Sequence, residues 1–271
     1  MHFRQWVGLA VIVAASQAAL AKDKPSQLPL LVIGASYSEG KTPFNNGVAP
    51  LGGVSVGLGS YLSLGQALTR TQPLPGYVIN EAQGGAGTFA RLACAPGTTT
   101  CGPAGWDSYQ MQFNKAIARV AQPPAFNTYN AKYVVVTLSN DCLHADAFGV
   151  PQTQSQPCGL AQMNQTVDRL VALGNDALAH GITPIFDVHP RYDQLDLPLF
   201  RSLFGLAWVI GEADYNTLRD LRRTRLKAEL PNAIVLDIWK DFEHLADGLH
   251  PTPATTRRAA RVIADELARR D

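Results

Sequence analysis

The chain has 271 residues, of which 46% are hydrophobic and 17% are charged. This composition excludes an intrinsically disordered protein and fits a single α/β domain of ordinary size. The formal net charge of +1 gives no indication of nucleic-acid binding or of electrostatic attachment to a membrane.

The first 21 residues have the pattern of an export signal. His2 and Arg4 precede an apolar run over residues 6–15, and Ala-Leu-Ala at 19–21 supplies an A-x-A cleavage pattern. The run is short for a bilayer span, although an uncleaved N-terminal anchor is the alternative. We therefore predict a signal peptide over residues 1–21, cleavage near Ala21, a mature domain over 22–271 without a stable membrane span, and a periplasmic or secreted location.

Strand-like and helix-like segments alternate along the mature chain. Short apolar runs predict buried strands at residues 28–33, 77–80, 133–138, 185–188 and 233–236. Helix-like patterns cover residues 61–69, 108–121, 160–179, 214–229 and 255–270, and Gly181 after His180 predicts the end of the third. The alternation predicts a three-layer α/β/α sandwich with a five-stranded parallel sheet, and functional groups at the carboxyl ends of its strands.

The four cysteines suggest disulfides, because an even number in an exported protein fits an oxidising compartment. Three connectivities are possible; pairing of sequence neighbours, Cys94–Cys101 and Cys142–Cys158, is favoured. No C-x-x-C motif or closely spaced His pair accompanies them, so no metal site is predicted.

Residues suited to acyl transfer follow several predicted strands. Ser36 comes after the first strand behind Gly34-Ala35, Gly85 lies in a glycine-rich segment after the second, and Asn140 follows the third. Glycine N–H groups and an Asn amide are suitable oxyanion donors. Asp247 and His250 are three residues apart near the C-terminus, where the carboxylate can orient the imidazole toward a serine.

These segments resemble, in order, the four blocks of the SGNH/GDSL hydrolases, serine esterases and lipases with a flavodoxin-like fold. Ala35 replaces the Asp of the G-D-S-x-S block, and Ser139 lies near the position where the G-x-N-D block usually has a Gly. The resemblance implies Ser36 as nucleophile, His250 as base and Asp247 as its orienting residue. It also implies an oxyanion hole made of the Ser36 and Gly85 N–H groups with the Asn140 amide, and a reaction without a cofactor.

Two other motifs compete with this assignment. Ser55 lies in Gly53-Val54-Ser55-Val56-Gly57, which fits the G-x-S-x-G elbow, but the Gly-, Asn- and Pro-rich residues 45–53 predict a flexible loop rather than the required strand. The segment from Gly34 to Thr42 ends like a phosphate-binding loop but has five residues between its glycines instead of four. The remaining histidines of the mature chain are interpreted as structural: His144, His180, His189 and His244. For His144, which is close to Asn140 in the sequence, lining of the pocket is the alternative.

The substrate is less defined than the chemistry. Residues 197–210 are unusually apolar, and a lid or acyl groove there would use Leu199, Phe200, Phe204 and Trp208. This slightly favours lipid or lysophospholipid esters, whereas the same residues are equally suited to packing in the core. A carbohydrate O-deacetylase is the alternative enzyme, and a degenerate protein that binds an acylated ligand is the non-enzymatic alternative.

Overall fold

The structure, a computed structural model, describes residues 28–39, 48–51, 54–57, 62–74, 78–93, 101–121 and 129–270. Its strands are β1 (Leu30–Ile33), β2 (Val48–Leu51), β3 (Val54–Gly57), β4 (Val78–Asn80), β5 (Arg91–Ala93), β6 (Gly102–Trp106), β7 (Tyr133–Val136), β8 (Thr183–Asp187) and β9 (Ile234–Leu236). Its α-helices are α1 (Ser36–Glu39), α2 (Leu64–Leu68), α3 (Tyr109–Ala118), α4 (Leu160–Ala179), α5 (Leu197–Phe204), α6 (Glu212–Glu229) and α7 (Pro253–Ala268).

A five-stranded parallel sheet forms the centre of the fold, in the order β4-β1-β7-β8-β9. All five predicted strands are in it. Strand β1 pairs with β4 on one side and with β7 on the other, so the chain reverses its direction of travel across the sheet at β1. Ligands of open α/β sheets bind at the carboxyl edge beside such a switch point.

Two apolar cores lie on the two faces of this sheet, which confirms the predicted three-layer arrangement. Leu30 and Val32 of β1 belong to a core that includes buried residues of α2 and α7. The alternate residues Leu31 and Ile33 belong to the other core, with buried residues of α3, α4 and α6. Each strand thus supplies both cores, because successive side chains point to opposite faces, and this explains the continuous apolar runs in the sequence.

Local capping explains where the helices begin and end. Ser63 and Ser108 accept hydrogen bonds from the first turns of α2 and α3, and Thr252 does so for α7, which has Pro253 at its first position. Helix α4 ends at His180, and Gly181 has φ +71°. The predicted stop at Gly181 is therefore confirmed, since glycine adopts this conformation without steric cost.

Two antiparallel strand pairs lie outside the main sheet. Strand β2 pairs with β3, so the prediction of a flexible loop without a strand before Ser55 was wrong. The Val and Leu residues at 48, 51, 54 and 56 favour pairing strongly enough to overcome the neighbouring Gly and Pro. Strand β5 pairs with β6 and brings Arg91 opposite Trp106.

Across the part of the chain that is described, no helix is both long and apolar enough to cross a bilayer.

Candidate active site

The loop between β1 and α1 carries Ser36. Gly34 has φ +146°, and a Cβ at this position would lie 2.0 Å from Oγ1 of Thr137 on the neighbouring strand end. Its N–H donates to Oε1 of the buried Gln112 at 2.8 Å. Only glycine fits here, so the chain turns directly out of the sheet and Ser36 becomes the first residue of α1, 5% exposed.

His250 approaches Ser36 from the other end of the chain. Its Nε2 lies 3.0 Å from Oγ of Ser36, and its Nδ1 contacts Oδ2 of Asp247. Asp247 Oδ1 accepts the backbone N–H groups of Leu249 and His250 at 3.0 and 2.9 Å. Both side chains are almost fully buried. The predicted Ser36, His250 and Asp247 therefore come together in hydrogen-bonding geometry for nucleophilic catalysis.

Asp247 is held as a carboxylate. Burial raises its pKa, but the nearby His250 and the hydrogen bonds from the His250 ring and the two backbone N–H groups outweigh burial, so the pKa lies below its ordinary value. An ionised Asp247 accepts a proton-bearing Nδ1. The bare Nε2 of His250 is then the atom that faces the Ser36 hydroxyl, which is the tautomer that a general base needs.

The glycine segment after β4 is oriented by two side chains from the β5–β6 pair. Trp106 Nε1 donates to the Gly84 carbonyl, and Arg91 Nε donates to the Gly85 carbonyl at 2.9 Å. The Arg91 guanidinium also lies 4.0 Å from the centre of the Trp106 ring system. Because the peptide is planar and trans, the Gly85 N–H points away from Trp106, and it has no hydrogen-bond partner among the described residues.

Asn140 closes the same edge of the sheet. Its Nδ2 donates to the Ala86 carbonyl at 3.0 Å, and its backbone N–H approaches the same oxygen at 3.3 Å. The Gln83 N–H donates to the Gly34 carbonyl at 3.1 Å. The loops after β1, β4 and β7, which carry Ser36, Gly85 and Asn140, are thus hydrogen-bonded to one another beside the switch point.

The D-x-x-H spacing also occurs at Asp141–His144 and at Asp241–His244, and sequence reasoning overlooked both. The structure separates the side chains of the first pair: Asp141 accepts from the N–H and the hydroxyl of Thr88 at 2.7 and 2.6 Å. His144 Nε2 instead lies 3.4 Å from Oδ1 of Asn140. Asp141 therefore holds the loop after β4, and only the Asp247–His250 pair reaches Ser36.

A buried ion pair lies beneath these loops and was also missed. Arg222 of α6 contacts Oδ1 of Asp187 at 2.7 Å, and both side chains are at most 2% exposed. Asp187 Oδ2 accepts from Trp239 Nε1 at 2.8 Å and from the N–H of Leu138 at 2.9 Å. Since Leu138 stands two residues before Asn140, the pair fixes the start of the loop that carries this amide.

The apolar residues 197–210 form helix α5 and a following extended segment. Phe200 and Phe204 are buried and contact each other at a centroid distance of 4.4 Å, and Phe200 also lies 6.1 Å from the His250 ring. Leu199 and Trp208 are partly exposed. The segment therefore packs in the core, as one of the two interpretations expected, and places the Phe200 ring beside His250.

The remaining predicted features have separate locations. Cys142 and Cys158 form a disulfide with a Cα–Cα distance of 5.3 Å, whereas the pairing Cys94–Cys101 involves Cys94, which lies outside the described residues. The signal peptide over residues 1–21 and the end of the Gly34–Thr42 motif also lie outside them. Ser55 lies within β3 rather than at a strand-to-helix turn.

The other histidines have separate roles. His180 is the C-cap of α4, and His189 is buried beside Tyr215. His244 contacts the Leu245 carbonyl through Nδ1 at 2.6 Å. Within the described ranges, no three His, Cys, Asp or Glu side chains group as metal ligands would.

Comparison with known proteins finds solved structures of similar fold. No protein-family model and no curated protein matches the sequence. Among solved structures, a carbohydrate acetylesterase from Sinorhizobium meliloti, Est24, superposes with a TM-score of 0.58 at 14% identity, covering 90% of this chain and 100% of its own. The aryl esterase of M. smegmatis gives 0.56 at 14% identity, with 89% and 99% covered.

A GDSL-like lipase from Bacteroides thetaiotaomicron gives a TM-score of 0.55 at 11% identity, covering 96% of this chain and 98% of its own. All three likenesses extend over nearly the whole length of the solved chains. The chain therefore shares the flavodoxin-like α/β/α fold of these ester hydrolases.

Proposed function

We propose that this protein is a serine ester hydrolase of the SGNH/GDSL type that acts through an acyl-enzyme. The observation that carries the proposal is the hydrogen-bonded series from Asp247 through His250 to Oγ of Ser36, 3.0 Å from Nε2. Three solved ester hydrolases share the fold around it. An intact series also argues against a degenerate ligand-binding protein, because such a protein no longer needs all three groups.

In the first half of the reaction, Ser36 Oγ attacks the ester carbonyl carbon while its proton passes to Nε2 of His250. The carbonyl oxygen becomes an oxyanion, which the Gly85 N–H, the Asn140 amide and the Ser36 N–H stabilise. When the intermediate collapses, the bond to the alcohol oxygen breaks and His250 returns the proton to that oxygen. The alcohol leaves, and the acyl group stays on Ser36.

In the second half, water attacks the acyl-enzyme, with its proton taken by the same Nε2, and the carboxylic acid leaves as Ser36 regains its proton. Asp247 stays ionised throughout and stabilises the imidazolium of His250.

The surroundings of His250 favour short acyl groups over long ones. Phe200 is 3% exposed and is packed against Phe204, so a long chain must displace this pair to run along α5. An acetyl group has no such requirement. Acetate esters, including acetylated carbohydrates, are therefore the preferred substrates, and lipid or lysophospholipid esters are the alternative that the same experiment measures.

Export of the protein is part of the proposal. The signal-like residues 1–21 and the disulfide between Cys142 and Cys158 both fit an oxidising compartment.

The test is hydrolysis of a p-nitrophenyl ester series from acetate to laurate by the purified protein. We expect turnover that falls as the acyl chain lengthens, and a rise with chain length would instead support the lipid class. S36A should lose about 10⁴-fold or more in kcat, whereas S38A, which removes a serine from the same helix, should stay within a few-fold. Activity that survives in S36A would refute the assignment.

Asn140 gives a second, graded test of the oxyanion hole. N140A should lower kcat by about 10²–10³-fold with little change in KM, because the amide acts on charge that develops only in the transition state. A rise in KM of similar size, with kcat unchanged, would instead mean that Asn140 contributes to ground-state binding of the substrate.

A further inference from the structure

His144 is buried beside the active site but belongs to none of the four sequence blocks. It is 6% exposed, and its ring centre lies 5.8 Å from that of Phe200, which in turn contacts His250. Its only described hydrogen-bond partner is Oδ1 of Asn140, 3.4 Å from Nε2. The buried Nδ1 has no partner among the described residues, so the polar contact that this ring makes among them is through Nε2.

The contacts of Asn140 determine which hydrogen the His144 ring carries. The Ala86 carbonyl can only accept, so the side-chain atom of Asn140 that faces it at 3.0 Å must be the NH2 group. Oδ1 then faces His144, and an acceptor facing Nε2 requires a hydrogen on that nitrogen. The ring is therefore the Nε2–H tautomer, donating to Oδ1, with a bare Nδ1.

The same contacts leave one N–H of the Asn140 amide for a substrate. The NH2 group has two hydrogens, and the Ala86 carbonyl takes one of them. A rotation of the amide would present Oδ1 to the oxyanion, which is repulsive. The donor from His144 and the acceptor at Ala86 together oppose that rotation from both ends of the amide.

The His144 ring is positioned from outside the catalytic residues. Residues 143–145 pair with the segment after α5: the Ala145 N–H donates to the Trp208 carbonyl at 3.1 Å, and the Ile210 N–H donates to the Leu143 carbonyl at 2.9 Å. His144 lies opposite Val209 in this bridge. The backbone that carries the His144 ring is thus held in place by these hydrogen bonds, independently of bound substrate.

The ring also stays uncharged. Burial, Arg91 and His250 lower the pKa of His144 to about 3. Asp146, on the following 3₁₀ turn, lies 3.8 Å from the Arg91 guanidinium, and its pKa is raised to about 6 by burial against the opposing effect of Arg91. A neutral donor orients Asn140 without adding a positive charge next to His250 when that ring becomes an imidazolium.

We propose that His144 is a positioning residue, whose Nε2–H holds the Asn140 side-chain amide with its second N–H directed at the oxyanion. The inference rests on the proposed ester hydrolase activity. It assigns a role to the apolar segment 197–210 as well, since this segment supports the ring that orients the oxyanion donor.

The test compares H144F, which keeps a planar ring against Phe200 but lacks the donor, with H144Q, whose amide NH2 can replace Nε2–H. Each is made in the wild-type and N140A backgrounds, and kcat and KM are measured with p-nitrophenyl acetate. We expect H144F to lower kcat about 10-fold or more, up to the loss in N140A, with KM within twofold. H144Q should recover most of that loss, and H144F should cost less than twofold in the N140A background.

A loss in H144F that is equally large in the N140A background would overturn the inference, as would wild-type kcat in H144F or failure of H144Q to recover. Wild-type protein without Ser36-dependent turnover would overturn the proposed function and this inference together, whereas an active wild type with an unaffected H144F overturns the inference alone. Long-range ¹⁵N–¹H NMR of the wild type is independent of how the variants fold. It should show the Nε2–H tautomer from pH 5 to 9, and an Nδ1–H or charged ring contradicts the argument.

Discussion

The buried pair between Arg222 and Asp187 allows a stability prediction that uses two adjacent arginines of α6. In R222M the methionine fills much of the volume, but the Asp187 carboxylate keeps only two neutral donors, Trp239 Nε1 and the Leu138 N–H. Arg223 is the matched control, because it is the next residue and pairs with Asp220 while 46% of its side chain is exposed.

The expected magnitudes differ strongly. Removing one partner of a buried ion pair lowers the free energy of unfolding by about 3–5 kcal/mol, and in a domain of this size that lowers Tm by about 6–20 °C. R223M breaks an exposed pair and should lower the free energy of unfolding by less than about 1 kcal/mol. The double variant D187L/R222M, which leaves no unpaired charge, should be more stable than R222M.

The pH dependence follows from the sign of the shift. Burial raises the pKa of Asp187, and Arg222 is the largest influence that opposes it, so R222M raises this pKa further. A carboxyl whose folded-state pKa exceeds its unfolded-state pKa destabilises the fold increasingly as pH rises from the unfolded value to the folded one. The deficit of R222M relative to wild type should therefore be larger at pH 8 than at pH 5.

Urea unfolding of the four proteins at pH 5 and pH 8 measures these differences. Equal losses in R222M and R223M, or a deficit in R222M that shrinks toward pH 8, would refute the account of an uncompensated buried carboxylate.

Two further predictions concern the active-site geometry. D247N should lower kcat by about 10⁴-fold. The amide oxygen of Asn at this position would accept the two backbone N–H groups, so its NH2 would face Nδ1 of His250 and force the hydrogen onto Nε2. A loss below tenfold on p-nitrophenyl acetate would contradict this role. G34A should lower the free energy of unfolding by about 3 kcal/mol, because the new Cβ meets Oγ1 of Thr137 at 2.0 Å at a φ of +146°. T137A should recover part of that loss in thermal unfolding, and no recovery would refute the steric explanation.

The sequence was sufficient for the layers of the fold. Residues 133–138 and 185–188 predict strands β7 and β8 because buried parallel strands are apolar on both faces, a property that each run contains by itself. Helix α4 was predicted with its observed bounds, from an apolar period and a glycine stop. Information of this kind is local, so it can be read from one segment without knowing which other segments pack against it.

The grouping of Ser36, His250 and Asp247 was also foreseeable, through four short blocks each placed after a predicted element. By spacing alone the sequence does not separate three D-x-x-H pairs: Asp141–His144, Asp241–His244 and Asp247–His250. In the folded chain it is the Asp247–His250 pair that lies within hydrogen-bonding distance of Ser36. In the folded chain Thr88 takes the Asp141 carboxylate, which leaves His144 to Asn140.

What only the tertiary structure decided are the contacts between residues far apart in the chain. Arg222 meets Asp187 across 35 positions, and Trp106 reaches the Gly84 carbonyl across 22. Neither has a periodic signal, because a single polar contact depends on how whole strands and helices pack. The sequence alone was sufficient for the five central strands and for the choice of Ser36, His250 and Asp247 as candidates; packing determined that Asp141 binds Thr88 and that His144 lies beside Asn140.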